Sequence, residues 1–199
     1  MNNLENLILK ALEQLNKLNS EQISNLVEIK EASSKSLLSI LINEHIVDEE
    51  TFFDVLSDIY RRGNADIDDI STDLQVDQKR FIEHVCKKFK ITFFDLDDID
   101  IDYRISEKLS TAQLKTYSAI PVKEDEISVY VAFKNPFDVI AQDKVQNLFN
   151  RKLLKVACAD PAQIEKYINK VALNESIKDV VAEIRRELSS SASQGQNTE

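Results

Sequence analysis

The chain has 199 residues, 43% of them hydrophobic, and a formal net charge of −10 at pH 7. This size and apolar content allow packed cores in one large domain or two small ones. The negative charge opposes binding to nucleic acid or to anionic lipid, since both need Lys and Arg to replace counterions. No apolar run reaches the length needed to span a bilayer, and no basic segment precedes the first apolar stretch. We therefore expect a cytoplasmic protein without direct membrane insertion.

The apolar pattern of the first 89 residues repeats three times at an offset of 29 residues. The marks of the three units are Leu12, Asn16, Leu18, Ile23 and Val27; Leu41, His45, Val47, Phe52 and Leu56; and Ile70, Leu74, Val76, Phe81 and Val85. Each unit predicts a helix pair. The first helices are predicted to end near Asn16, His45 and Leu74, and the second to reach about Lys30, Arg61 and Phe89. A period this short is typical of stacked units, which usually bind other molecules rather than catalyse.

A polar residue that can cap a helix stands at the same place in each unit, at Asn19, Asp48 and Asp77. An apolar residue precedes each of them, and another follows four residues later. The side chain of such a residue accepts a hydrogen bond from a free N–H group of the first turn, while the flanking apolar pair packs together. The second helix of each unit is therefore predicted to begin directly after these residues.

The pattern changes after residue 90. The pattern predicts a short extended segment over residues 90–96 and a helix over 106–117. Residues 120–122 and 127–133 flank a polar turn, which predicts a hairpin. The pattern then predicts a helix over 138–149, a third strand over 152–157, and a helix to about residue 171 that opens with Asp160 and Pro161. A further helix is expected over 176–188, and a disordered tail over 189–199, where no apolar residue is larger than alanine.

These elements predict an α+β protein. Three helix pairs occupy residues 1–89, and a small module of helices packed on a three-stranded sheet occupies residues 90–172. A helix over 173–188 and the tail over 189–199 follow, and the tail is typical of a linker.

Residues that could carry catalysis are sparse. The chain has two glycines, Gly63 and Gly195, whereas a phosphate-binding loop needs several so that backbone N–H groups converge on the phosphate. No nucleophile, base and orienting group stand in a catalytic pattern. We therefore predict no catalytic, cofactor-binding or metal-binding residue, and no hydrolysis of ATP by this chain.

Three further groups of residues have ordinary structural interpretations. Cys86 and Cys158 lie far apart in sequence and are interpreted as reduced, buried thiols. His45 and His84 have no second ligand at helical spacing, so we interpret them as structural or surface residues rather than as metal ligands. The acidic run over 95–102 lacks the central Gly and the closing Glu of a calcium loop, and is interpreted as a solvated connector.

Four short segments of the second half carry a resemblance to a known family. They are Phe93-Phe94-Asp95-Leu96, Ala119-Ile120-Pro121, VYVAFKNP over 129–136 with Asp138 behind it, and Val156-Ala157 leading to Ile164. With these segments, residues 37–171 resemble the N-terminal domain of the assembly ATPases of type II secretion and type IV pili. The resemblance implies a domain that precedes a hexameric ATPase core and docks on the cytoplasmic part of an inner-membrane platform protein. The core is absent from this sequence, so we expect a part of such an ATPase rather than a stand-alone adaptor.

Some members of that family bind cyclic di-GMP through a tandem motif in the same frame as the helix-pair repeat. Here the leading Arg of the motif falls on Ser36 and Ala65, the first Gly on Leu38 and Ile67, the second Gly on His45 and Leu74, and the closing Gln on Ile59 and Lys88. The apolar positions mostly remain, but every Arg, Gly and Gln is replaced. Because Arg supplies bidentate contacts and Gly lets the backbone approach a ligand, we expect the site to be lost, with Leu38 and Ile67 filling the space.

The repeat and the resemblance together favour a non-catalytic protein-interaction domain, peripheral to the inner membrane through its platform partner. We expect residues 1–61 to carry the docking, with apolar surface offered by the first unit over 4–29, and residues 90–171 to face the ATPase core in cis. Alternatively, the first unit merely caps the array. A cyclic di-GMP-sensing regulatory domain and a stand-alone adaptor of the same system are the other functions left open. The sequence does not distinguish secretion, pilus assembly and DNA uptake.

Overall fold

The structure, a computed structural model, describes residues 2–101, 103–106, 108–149 and 152–194. Its helices are α1 (Asn3–Gln14), α2 (Ser20–Ala32), α3 (Leu37–Asn43), α4 (Glu49–Arg61), α5 (Ile67–Leu74), α6 (Gln78–Phe89), α7 (Tyr103–Ser106), α8 (Thr111–Tyr117), α9 (Val139–Leu148) and α10 (Pro161–Gln194). Its strands are β1 (Thr92–Phe94), β2 (Ala119–Glu124), β3 (Ser128–Phe133) and β4 (Leu153–Ala159). The predicted α+β class is confirmed. No helix within these ranges is both long and apolar enough to cross a membrane.

The six N-terminal helices form the three predicted pairs, α1 with α2, α3 with α4, and α5 with α6. The second helix of each pair begins at the predicted capping residue. The side chains of Asn19, Asp48 and Asp77 accept hydrogen bonds of 2.8, 2.7 and 2.8 Å from the backbone N–H group three residues later. The predicted starts of these three helices are therefore confirmed.

The turns inside the first two pairs close in the same way. Asn16 and His45 adopt the left-handed conformation, with φ of 55° and 53°, and the next N–H group bonds back five residues at 2.9 and 3.0 Å. In the third pair the left-handed residue is Gln75, with φ of 56°, one position later than the offset predicts. Leu74 consequently stays helical and is buried.

The repeated apolar residues of the three units pack together in one helical core. Those of the second and third units are buried at Leu41, Val47, Phe52, Leu56, Ile70, Leu74, Val76, Phe81 and Val85. In the first unit Leu12 and Leu18 are buried, whereas Ile23 and Val27 are half-buried. Helix α4 contacts α1, α3 and α6. The array is therefore not a linear stack, because α1 packs across α4 of the next pair.

The sheet of the described residues has four strands in the order β1-β4-β3-β2, so the prediction of three strands is wrong by one. Strands β2 and β3 form the predicted antiparallel hairpin, and β3 pairs with β4 in parallel. The additional strand, β1, comes from the segment predicted to be extended, and its Thr92 pairs with Ala157 of β4. A three-residue strand whose partner lies far along the chain has no periodic signal of its own.

The helix predicted over 106–117 starts later than expected. Helix α8 begins at Thr111, because Ser110 forms a capping box with Gln113, with hydrogen bonds of 3.2 and 2.9 Å between them. Such a reciprocal pair satisfies two N–H groups at once and is a stronger start signal than Ser106. Residues Tyr103–Ser106 form the separate short helix α7.

The two helices predicted after Asp160 are one continuous helix, α10. No Gly or Pro stands between Pro161 and Gly195 to end it. The prediction of disorder is wrong for residues 189–194, which are helical and continue α10. Residues 195–199 of the predicted tail lie outside the described residues.

The helical core continues onto the sheet, where α6 packs against β4. Cys86 and Cys158 are both buried there, and their mutual hydrogen bond together with burial raises the pKa of the Cys158 thiol. The interpretation of both residues as buried thiols is confirmed. Nearby, the Tyr60 hydroxyl donates to the backbone oxygen of Lys134 at 3.1 Å. Burial raises the pKa of Tyr60 far above its usual value, so this hydroxyl remains a donor.

Polar contacts lie beside the interface between α6 and the sheet. The carboxylate of Asp95 accepts hydrogen bonds from Lys79 at 2.9 Å and from Gln163 at 2.6 Å. The bond from Lys79 is the main cause of the lowered pKa of Asp95. The start of the 95–102 run is therefore a structural contact between α6 and α10 rather than a solvated connector. Asp102 lies outside the described residues.

Candidate protein-interaction site

The positions of the first copy of the cyclic di-GMP motif hold residues that cap a helix, pack against the core or lie in a turn. The Ser36 hydroxyl caps α3 by accepting a hydrogen bond of 3.2 Å from a backbone N–H of its first turn. Leu38 is half-buried, so it fills the expected space only in part. His45 is exposed and left-handed, which accounts for a Gly preference at that position, and Ile59 is buried.

The second copy is more fully absorbed into the core. Ile67 and Leu74 are buried, and Ala65 is half-buried. The ammonium group of Lys88 pairs with Asp58 of α4 at 3.1 Å. The buried and ion-paired side chains of this second copy therefore stabilise the helix pairs of the repeat.

The two histidines are placed as a surface and a structural residue, as interpreted from the sequence. His45 is exposed, and His84 of α6 lies with Nε2 2.9 Å from the carboxylate of Asp54 on α4. The His84 ring also contacts Phe53 edge-on at 5.5 Å between centroids. Within the described ranges, no three His, Cys, Asp or Glu side chains come together as metal ligands could.

A groove of about 290 Å³ lies between α1 and α4. Its apolar lining consists of Leu7, Ala11, Leu15, Val55 and Ile59, and its polar lining of Lys10, Gln14, Asp58, Arg62 and Asn64. Val55 and Ile59 are buried and form the floor, whereas most of the polar residues are exposed at the edges. An apolar floor with a polar rim is the common form of a surface that takes a segment of another protein.

Positive charge dominates the rim of the α1–α4 groove. Lys10 and Arg62 are exposed cations, while the carboxylate of Asp58 is already paired with Lys88 at 3.1 Å. The chain as a whole has a formal charge of −10. The groove is therefore locally basic on an acidic protein, and its electrostatic potential favours negatively charged groups.

The position of α1, and with it one wall of the groove, depends on a buried charge. Glu5 is 3% exposed, and its carboxylate accepts a hydrogen bond of 3.1 Å from the backbone N–H of Asn2. The same carboxylate pairs with Lys30 of α2 at 3.4 Å. This contact ties α1 to α2 while α1 packs on α4.

The apolar surface predicted for residues 4–29 is much smaller than expected. Leu4, Ile8, Leu9 and Leu12 are buried, because α1 packs against α4. Within this stretch, all of which is described, Leu15 is the exposed large apolar residue, at 56%. The repeat pattern marks which face of a helix is buried but not which helix covers it, so it did not indicate the groove.

The chain is similar to one protein family and to solved structures of low sequence identity. The family model of the MshEN domain matches residues 89–176. Among solved structures, the chain is similar to the structure of MshE with cdg, at 13% identity and a TM-score of 0.44, covering 86% of this chain and 99% of that one. It is also similar to the N-terminal domain of XpsE in crystal form I4122, at 17% identity and a TM-score of 0.38, covering 85% and 97%.

None of the curated proteins compared with the chain matches it. Over residues 89–176 the chain matches the family model of the MshEN domain, in agreement with its resemblance to the N-terminal domains of type II secretion and type IV pilus assembly ATPases.

Proposed function

We propose that this chain is a non-catalytic protein-interaction domain of a type II secretion or type IV pilus motor, and that the α1–α4 groove docks the motor on the cytoplasmic part of its inner-membrane platform protein. The groove carries the proposal. It lies almost wholly within residues 1–61, and it combines an apolar floor with a basic rim. In this proposal the chain acts in the cytoplasm at the inner membrane, and it reaches the membrane through the partner rather than through lipid.

The groove defines the chemistry of the segment it would bind. Buried Val55 and Ile59 and exposed Leu15 favour a segment with a few apolar anchoring side chains. Lys10 and Arg62 favour acidic residues beside those anchors, because opposite charges across an interface speed association and select the partner. An amphipathic helix or strand with an acidic edge has both properties.

The proposal is tested by replacing Leu15 with Glu. The change places a carboxylate in the apolar lining of the groove, and since Leu15 is 56% exposed, the fold tolerates it. Affinity for the purified cytoplasmic domain of the platform protein, measured by calorimetry, is expected to fall by about tenfold or more.

The matched control is Ile127→Glu, because Ile127 is 72% exposed on the far hairpin of the sheet module. This variant should bind the platform domain as the wild-type chain does. The opposite pattern, with binding kept in Leu15→Glu and lost in Ile127→Glu, would place the docking surface on the sheet module and contradict the role of the groove.

Cyclic di-GMP is expected not to bind, because other side chains replace the Arg, Gly and Gln of the motif at all eight of its positions. A ligand that binds only the folded state raises the melting temperature by mass action. Thermal denaturation with cyclic di-GMP up to about 100 μM should therefore give an unchanged melting temperature. A rise that grows with ligand concentration would support the alternative of a nucleotide-sensing regulatory domain.

A further inference from the structure

Helix α10 is apolar on two different faces in its two halves. In the first half, Ile164 and Ile168 are 0% and 5% exposed and pack into the core of the sheet module. In the second half, Leu173, Ile177, Val180 and Ile184 are 61%, 53%, 55% and 50% exposed. We call these four exposed residues the outer stripe.

The outer stripe points away from the sheet module. At 3.6 residues per turn, its mean direction lies roughly 190° around the helix axis from Ile164. The side that faces the module continues instead through Glu175, which bonds to Thr111 of α8. The outer stripe is therefore not an extension of the face already packed, and covering it requires a second body on the opposite side of α10.

The spacing of the outer stripe is that of a coiled-coil seam. Its four residues are separated by four, three and four positions, which places them alternately at the two core positions of the heptad. Val181, at 43% exposure, widens the stripe on one side. The sequence of gaps is the same in both directions along the helix, so the stripe can pair with an antiparallel copy of itself.

We propose that the outer stripe binds the same stripe of a second copy of this chain in an antiparallel, two-fold arrangement. Leu173 then lies opposite the partner's Ile184, and Ile177 opposite the partner's Val180. Both contacts occur twice, as the symmetry of an isologous dimer requires.

Charge and area both favour self-pairing. In this register Ser176 lies beside the partner's Glu183, and Asn174 beside the partner's Val181, so no like charges meet along the flanks. The four stripe residues each expose half or more of their surface, and pairing two copies covers on the order of 1,000 Å² in total, the lower bound for a specific interface. The dimer is accordingly weak and concentration-dependent.

The test measures the mass of the full chain by sedimentation velocity between about 1 and 100 μM, the range in which a weak interface dissociates. The wild-type chain should pass from its monomer mass of 22.8 kDa towards twice that mass. Ile177→Glu and Val180→Lys alone should each weaken association by about tenfold or more, since each leaves a charge against an apolar partner.

Mixing the two variants identifies both the partner and the orientation. In the antiparallel register the introduced carboxylate lies opposite the introduced ammonium group, so an equimolar mixture should regain the dimer that neither variant forms alone. In a parallel register the two introduced charges do not meet, and the mixture would remain monomeric, which would refute the proposal. A wild-type chain that stays at 22.8 kDa at the highest concentration would refute it as well.

The control is Asp179→Asn, which also changes the charge by one but lies roughly 130° away from the mean direction of the outer stripe around the helix. It should dimerise as the wild-type chain does, and an equal loss in this variant would assign the association to net charge instead of the stripe. Glu and Lys are better helix formers than Ile and Val. All three variants should therefore keep the wild-type circular dichroism and melting temperature at monomeric concentrations.

Discussion

Replacing Phe81 with alanine is expected to lower the free energy of unfolding by about 3–5 kcal/mol. The ring is 0% exposed in α6, and it makes edge contacts with Phe53 at 5.8 Å and with Tyr60 at 5.7 Å between centroids. Both neighbours belong to α4, the helix that also supports α1. Removing the ring leaves a cavity where α4 and α6 meet, and such cavities collapse only partly.

Urea denaturation followed by circular dichroism at 222 nm measures this effect. Phe81→Leu keeps much of the volume and should cost clearly less, and Leu15→Ala, at an exposed position, should stay within about 0.5 kcal/mol of the wild-type value. A loss below about 1.5 kcal/mol for Phe81→Ala would mean that α4 and α6 do not pack as described.

Replacing Lys30 with methionine is expected to destabilise the chain by about 2 kcal/mol, because the buried carboxylate of Glu5 loses its cation. Breaking a fully buried pair costs about 3–5 kcal/mol. The smaller value applies here because the Lys30 side chain is 21% exposed, so water reaches part of the site. Loss of this contact also loosens α1, and with it one wall of the α1–α4 groove.

A double-mutant cycle isolates the pair. Glu5→Gln removes the charge while keeping a group that accepts a hydrogen bond from Asn2, so Lys30→Met should cost much less in that background. Lys144→Met, at an exposed lysine, serves as the control and should be nearly neutral. Equal costs of Lys30→Met in both backgrounds would show that the ion pair contributes nothing to stability.

The helix pairs were predictable because their signals are local. Asn19, Asp48 and Asp77 bond to N–H groups three residues away, and the flanking apolar residues pack within the same helix start. The boundary of α8 was also encoded locally, in Ser110 and Gln113, but Ser106 competed with that signal. The α+β class follows from the change of period after residue 90.

Long-range contacts explain what the sequence did not reveal. Strand β1 exists because Thr92 finds Ala157 across the sheet, and no pattern within three residues can indicate such a partner. The groove exists because α1 lies on α4 of the next pair, which brings Leu15 near Ile59. Both features depend on tertiary packing, and periodicity gives the buried face of a helix without its neighbour.

The unbroken course of α10 gives the chain a lever arm. With its base held against the sheet module up to Glu175, which bonds to Thr111, the remaining turns to Gln194 extend roughly 28 Å at 1.5 Å per residue. A tilt of about 10° at the base would displace the far end by roughly 5 Å, because an α-helix bends only gently over this length. Small rotations of the module thereby become large translations at the end of the helix.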